Sequence, residues 1–338
     1  MRLRVAFGGV VVALLVSAPA MPAGADPARP TNDRSEVVAV EPAMPGVRVD
    51  VVGGDAFLRV RVEPGHAVEI PGYDGEPYLR IDADGTVKRN ERSPARWVNT
   101  ARYGATESPP PEAAIDAEPD WRAVGEGGDH VWHDHRTHSM GGPVQPRWQV
   151  PMTIDGQPVL VQGTLERATA PSPWPWIVLA VAAAAGVALA AARRPGPARV
   201  ALLVVAGAAL VVGGAEIAEL PSDARSGVWV VALPVLGLIA AGIALASRPT
   251  WLAAPFTAGA GAALVAWGVR RYGVLDHAVL LTGLPAGLDR AVVALALGMG
   301  AAAAFTGLAS ALGVRLPPGF GGALANRLGG VSPPRPPP

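Results

Sequence analysis

Residues 174–313 are dominated by long apolar runs, and this constrains the chain more than any other feature. Trp174-Pro175-Trp176 opens the first run, which ends only at Arg193-Arg194. Four more follow, so that the candidate spans are 175–192, 200–218, 228–246, 252–269 and 291–313. Each has the roughly 17–25 residues that a helix needs to cross a bilayer. In hydrocarbon every backbone N–H and C=O must be satisfied within the segment, so such runs have to be helical. The second half of the chain therefore reads as an all-α membrane domain of about five transmembrane helices, with the lipid bilayer as its first partner.

The flanks of the runs give an orientation. Tryptophans at the start of the first span and arginines at its end fit a helix entering from outside. Five spans then leave the C-terminus in the cytoplasm. Arg193, Arg194, Arg199, Arg248, Arg315, Arg327 and Arg335 fall on the cytoplasmic side, and Arg225, Arg270, Arg271 and Arg290 on the other. The Arg270-Arg271 pair runs against the pattern. Residues 272–288 are apolar but carry Asp276, His277 and Pro285, which suits an interfacial or re-entrant segment better than a sixth span. Near membrane depth the acidic groups are Glu216 and Glu219, both toward the outer end of the second span, and no span has a charge at its centre. Residues 314–338 read as a Pro-rich cytoplasmic tail.

Upstream, Arg2 and Arg4, the apolar run 5–16 and Ala23-Gly24-Ala25 have the form of a secretory signal peptide over residues 1–25. Residues 26–35 are polar and Pro-containing and read as a disordered lead-in. Residues 36–173 read as an extracytoplasmic β-rich domain. Between 26 and 173 there are 23 acidic and 15 basic residues, whereas from 174 onward there are 5 acidic and 11 basic. The neutral total thus hides an acidic domain joined to a basic-flanked one. With no cysteine in the chain, the exported domain holds together by packing alone, and thiolate metal sites and Cys nucleophiles are excluded.

Within that domain, residues 47–51 and 57–62 alternate apolar and polar with the period of half-buried strands. Residues 78–82 and 86–88 flank Asp84-Gly85, and 148–154 and 158–165 flank Asp155-Gly156; both are hairpin signals. Asp82, Asp84 and Thr86 lack the closing glutamate of a calcium loop. Residues 106–120, with four prolines, read as a surface loop. Short strands at this spacing point to a β-sandwich-like fold.

Residues 129–140 read Asp-His-Val-Trp-His-Asp-His-Arg-Thr-His-Ser-Met and hold four of the six histidines. As a strand, the segment would put His133 and His135 on one face, opposite His130, Trp132, Asp134 and His138. As a short helix it would pair His130 with His133 and His135 with His138. Either geometry brings two imidazoles within reach of one ion. Imidazole with thioether and no thiolate suits copper, with zinc or nickel as the alternatives, so His130, His133, His135, His138 and Met140 are the candidate metal ligands. The competing reading is a structural network, in which the imidazoles bond with Asp129, Asp134 and Arg136 around Trp132.

Enzyme is the weakest class. His133-x-His135-x-x-His138 comes close to the metallo-β-lactamase signature, but Thr137 stands where that pattern needs an aspartate. The cupin His-x-His pattern lacks its glutamate, and no local signature supports a serine triad.

The segment Trp132-His133-Asp134-His135-Arg136-Thr137-His138, followed by Met140, resembles the hallmark of a family of uncharacterised actinobacterial exported membrane proteins. Gly75-Glu76-Pro77-Tyr78-Leu79-Arg80 and Asn90-Glu91-Arg92-Ser93-Pro94 resemble further blocks of it. The resemblance covers the chain from about Val37 onward and departs at Ser139, where an aromatic residue is expected. It implies a signal peptide, a β-rich ectodomain and a helical C-terminal half, and carries no activity. The leading functional expectation is an envelope protein that binds or handles a transition metal, copper first. The alternative is a metal-free extracytoplasmic interaction or scaffold module. Expected partners are the bilayer and other envelope proteins, and not nucleic acid.

Overall fold

The computed structural model describes residues 26–104, 108–141 and 145–314. The expected signal peptide and the tail from residue 315 lie outside them. The first part is an antiparallel sheet domain. Its strands are β1 (Asp33–Glu41), β2 (Val47–Val52), β3 (Phe57–Val62), β4 (Val68–Pro71), β5 (Pro77–Ile81), β6 (Val87–Asn90), β7 (Trp121–Gly125), β8 (Asp129–Trp132), β9 (Arg147–Ile154) and β10 (Gln157–Arg167). A short helix, α1 (Pro94–Val98), follows β6 and is capped by Ser93, whose side chain accepts from Ala95 N.

The strands form a seven-stranded sheet in the order β1-β10-β9-β4-β5-β6-β7 and a three-stranded sheet in the order β2-β3-β8. One apolar core joins them: Leu58, Val60 and Trp132 of the small sheet pack with Val68, Ile81, Val150, Ile154 and Val161 of the large one. The alternation in β9 is what makes this work. Trp148, Val150, Met152 and Ile154 are buried while the residues between them face outward, as the two-residue period of a strand requires.

Both sequence-read hairpins are present. At the β9–β10 turn Asp155 has φ 50° and Gly156 φ 78°, the pair of positive values that a type I′ turn needs. Asp155 Oδ1 also accepts from Ala67 N at 2.8 Å, which ties the turn to the start of β4.

The second part consists of five helices long and apolar enough to cross a membrane: α2 (Trp174–Arg193), α3 (Pro195–Glu219), α4 (Trp229–Ala246), α5 (Thr250–Arg270) and α6 (Ala286–Ala311). The chain is a multi-pass membrane protein, and these helices follow the sequence-read spans closely. Residues 272–285 form no spanning helix; a single helical turn at Tyr272–Leu275 leads into irregular chain.

α6 packs against α2, α3 and α5. Small residues permit the close approach, as expected where lipid removes the hydrophobic drive between helices. A Cβ on Gly298 would lie 2.0 Å from Ala180 O of α2, and one on Gly261 would lie 2.4 Å from both Ala304 N and Gly300 O of α6.

Residues 26–35 depart from expectation, because they are ordered against the helical half. Ala28 is buried and donates its N–H to Ala224 O at 3.0 Å. Thr31 and Val279 exchange both backbone hydrogen bonds, at 3.1 and 2.8 Å. Asn32 Oδ1 accepts from Ala278 N at 2.8 Å, and Asp33 already begins β1. All these partners lie some 200 residues or more away, so no local pattern in the segment announces its order. Around it Ala56, Phe57 and Val131 of the sheet domain pack with Leu220, Ala224 and Leu281 of the helical half. The two halves thus meet at an apolar seam with a backbone bridge across it.

Replacing Gly298 with Val should force α2 and α6 apart at a cost of about 1–3 kcal/mol. Thermal unfolding of the full-length protein in detergent reads this as a lower Tm. Gly287→Ala, at an open position, is the control and should leave it in place. Equal Tm values for the two variants would contradict the α2–α6 contact.

Candidate functional site

The histidine segment is neither the continuous strand nor the helix that its spacing allows. β8 ends at Trp132. The chain then turns, with Thr137 N donating to Asp134 O at 2.9 Å and Thr137 Oγ1 donating to the same oxygen at 3.0 Å. His130 therefore sits in the small sheet, His133 just past its end, and His135 and His138 on the turn. Asp134 and Thr137 are fully buried, and His133 and His138 nearly so.

The imidazoles face backbone carbonyls. His133 Nδ1 lies 2.7 Å from Ala56 O and its Nε2 3.1 Å from Asp26 O. A carbonyl only accepts, so the neutral ring donates through one nitrogen, and the shorter contact assigns the proton to Nδ1. One face of the ring stacks on Phe57 at 4.2 Å, beside the seam between the two halves. His135 Nε2 donates to Ala101 O at 3.2 Å, and His138 Nε2 to Arg102 O at 2.6 Å. The last two rings meet edge to face with centroids 4.9 Å apart. His138 Nδ1 is buried with no hydrogen-bond partner among the described residues.

Beneath the rings lie two buried carboxylates. Asp134 accepts from Trp132 Nε1 at 3.0 Å, from Arg136 N at 3.1 Å, and from Arg136 Nε and Nη2 at 2.8 and 2.7 Å. The Arg136 guanidinium in turn lies over the Tyr73 ring at 5.1 Å. Tyr73 Oη accepts from His135 N at 2.9 Å and donates to Asn99 Oδ1. Asp55 accepts from the Arg102 guanidinium and from Ser139 N, the latter at 3.1 Å. Ser139 Oγ accepts from Arg167 Nη2 at 2.9 Å, and Arg167 also pairs with Asp33 of β1. An aromatic residue at 139 would forgo the hydroxyl that receives Arg167.

The candidate ligands are only partly brought together. His133, His135 and His138 are neighbours, with 6.2 Å between the ring centroids of His133 and His138. His130 lies on β8 against Trp132, its ring centroid 6.1 Å away. Met140 is 47 % exposed, whereas His133 and His138 are buried. Among the described residues no group of three or more His, Cys, Asp or Glu side chains is arranged to hold a metal ion. Of the sequence-read network, Asp134, Arg136 and Trp132 bond one another. The His133, His135 and His138 imidazoles, however, bond backbone carbonyls and, among the described residues, none of the expected Asp129, Asp134 or Arg136 side chains. Asp129 instead pairs with Arg59 on the neighbouring strand.

No family model, curated protein or solved structure matches this chain.

Reading the sequence missed three partners, Tyr73, Asp55 and Arg102, which lie some 30 to 85 residues before the segment and have no local signature. It also missed a second buried cluster at the sheet-domain end of the helices. Arg271, one of the two discordant arginines, turns inward to pair with Glu216 of α3 and Asp289 of α6. Its Nη2 lies 3.0 Å from Asp289 Oδ2, which also accepts from Thr282 Oγ1 at 3.0 Å. The arginine is thus paired with carboxylates at the seam, while its neighbour Arg270 stays exposed.

Burial pushes the pKa of all four histidines down. His130 falls to about 4, and His138 to about 4 with the His135 ring beside it as a further cause. His133 and His135 are lowered as well, burial outweighing their carbonyl partners. In the unfolded chain these rings take up protons near pH 6.5. Folded, they resist until lower pH, so the unfolded state binds more protons in between and stability is lost as the pH is lowered. Burial raises the Asp55 pKa, which opposes this in part, while Asp129, held low by Arg59, contributes only in stronger acid.

The full-length protein should therefore melt at a constant temperature above about pH 7 and progressively lower between about pH 6.5 and 4. His138→Gln should shallow that slope. A Tm independent of pH across the window would contradict the buried, neutral imidazoles.

Proposed function

We propose that this is an integral envelope membrane protein whose sheet domain lies outside the cytoplasm and acts as a metal-free scaffold or interaction module. In this reading the histidine segment is a structural lock. The observation that carries it is where the polar atoms point: His133, His135 and His138 each address a backbone carbonyl, and Asp134 accepts four hydrogen bonds from Trp132 and Arg136. Buried polar groups satisfied in this way specify one local structure. The outward placement rests on the sequence: the signal-peptide pattern, the tryptophans at 174 and 176, and the arginines at 193, 194 and 199. Membership of the exported actinobacterial family belongs to the same proposal and rests on the 132–140 motif. Other envelope proteins are the expected partners of the module.

A second reading, a copper site with zinc as the alternative, draws support from one feature. His135 and His138 lie edge to face, and His138 Nδ1 is without a partner among the described residues. With both Nε2 atoms donating to carbonyls, His135 and His138 offer two Nδ1 lone pairs, where a zinc site needs three or four donors.

The two readings separate in one series of thermal scans on wild type and the His133→Ala, His135→Ala double variant, with and without Cu²⁺ or Zn²⁺. A lock predicts a wild type indifferent to both ions. It also predicts a variant destabilised by about 1–3 kcal/mol for each buried group left unsatisfied. A metal site predicts a wild type stabilised by the ion through mass action and a variant that folds normally but ignores it. The latter pattern would overturn the proposal.

A further inference from the structure

At the end that meets the helices, the sheet domain presents two large apolar side chains side by side. Tyr103 is 69 % exposed and Met140 47 %. Single exposed apolar residues are ordinary on a protein surface, so what matters is how these two are held. His138 Nε2 donates to Arg102 O at 2.6 Å, which joins the backbone just before Tyr103 to a ring two residues before Met140. Asp55 ties the same two segments from beneath. One of its oxygens takes the Arg102 guanidinium, and the other accepts from Ser139 N at 3.1 Å. Asp55, His138 and Ser139 are all buried. Tyr103 and Met140 are therefore exposed tips on one buried, hydrogen-bonded base.

That base is continuous with the seam. Arg102 Nη2 donates to Thr31 Oγ1 at 3.5 Å, and Thr31 is the residue whose backbone pairs with Val279 between α5 and α6. Arg167 bonds both Ser139 Oγ and Asp33. The next residue, Ala168, donates to Asn32 O at 2.8 Å, and Asn32 Oδ1 accepts from Ala278 N. Each tip thus follows a residue bonded into this framework, and the framework is bonded to the loop at the helix ends. The opposite end of the domain is well separated: Asp33 pairs with Arg167 here, while Gln157 begins β10 about 30 Å away along the strand. On the seam side the helices carry Trp174 and Tyr272, 68 % and 49 % exposed, the aromatics that belong at the level of lipid headgroups.

We propose that Tyr103 and Met140 form a foot through which the sheet domain touches the bilayer, entering the headgroup region of the leaflet that adjoins the seam. The occupant of this face is phospholipid. A tyrosine suits that depth, because its ring is apolar and its hydroxyl stays wet. Methionine, unbranched and adaptable, suits the irregular surface of acyl chains. The foot gives the sheet domain a second point of support besides the seam and so fixes its tilt over the membrane. This rests on the fold and the membrane helices, and is independent of whether the histidine segment takes a metal.

The chain has no cysteine, so a single introduced one carries a label without background. Tyr103→Cys, Met140→Cys and the control Gln157→Cys are made in the full-length protein, labelled with a nitrobenzoxadiazole fluorophore and placed in phosphatidylcholine nanodiscs. Phosphatidylcholine spin-labelled near the top of its acyl chain should remove about half or more of the emission at 103 and 140, the depth to which interfacial groups reach. It should leave 157 unchanged. Aqueous iodide should do the reverse. Iodide quenching at 103 and 140 equal to that at 157, with no effect of the spin-labelled lipid, puts the face in water and overturns the proposal. Shielding from both quenchers means that protein covers the face, a second copy of the chain included, and overturns it equally. Both positions are exposed, so each labelled variant should melt with the wild type; where one does not, the other decides.

Discussion

The buried carboxylate of Asp134 is the fixed point of the sheet domain. A charge in that position is tolerated only when its lone pairs are filled, and here the Trp132 indole, the Arg136 amide and the Arg136 guanidinium fill them. The geometry is local, since acceptor and main donor are two residues apart, yet its effect is long-range. By holding Arg136 over Tyr73 it positions the hydroxyl that receives His135 N. By turning the chain after Trp132 it delivers His133, His135 and His138 to the carbonyls of residues 56, 101 and 102. Removing one partner of such a buried pair costs about 3–5 kcal/mol, a large share of the roughly 5–15 kcal/mol that holds a domain folded.

The lock lies next to the seam that joins the two halves of the molecule. Phe57 is stacked on His133 on one side, and belongs to the apolar cluster with Leu220, Ala224 and Leu281 on the other. Backbone pairing of Thr31 with Val279 adds direction to that apolar contact. Phe57 and the His133–Asp26 contact thus place the histidine turn directly against the seam. On the membrane side the Arg271 cluster plays the corresponding part, drawing α3, α6 and the end of α5 together just beneath the same seam.

How far the sequence revealed this depends on the range of the interaction concerned. The five helices were legible because lipid imposes a length and an apolar composition on each run separately. The hairpins at Asp84-Gly85 and Asp155-Gly156 were legible because a positive φ favours few residues. The histidine segment was visible as a concentration of one residue type, and Asp134-x-Arg136 stood beside it. Its conformation was hidden, because the strand period stops at Trp132 and the turn is set by Asp134 bonding its own neighbours. The order of residues 26–35 and the inward turn of Arg271 were hidden for a further reason. Val279 and Ala224 meet residues 26–35 only once the two halves have docked, and Glu216 and Asp289 meet Arg271 only once α3, α5 and α6 have packed.

Amide hydrogen exchange across residues 133–139, measured on chelator-treated full-length protein, tests the lock most directly. A turn held by its own side chains keeps the amides of His135, Thr137 and Ser139 bonded to Tyr73, Asp134 and Asp55. They should then exchange as slowly as the core of β9 and be unaffected by added Cu²⁺ or Zn²⁺. Exchange at the rate of an open loop, slowed only when either ion is supplied, would contradict the account and make the segment a metal site.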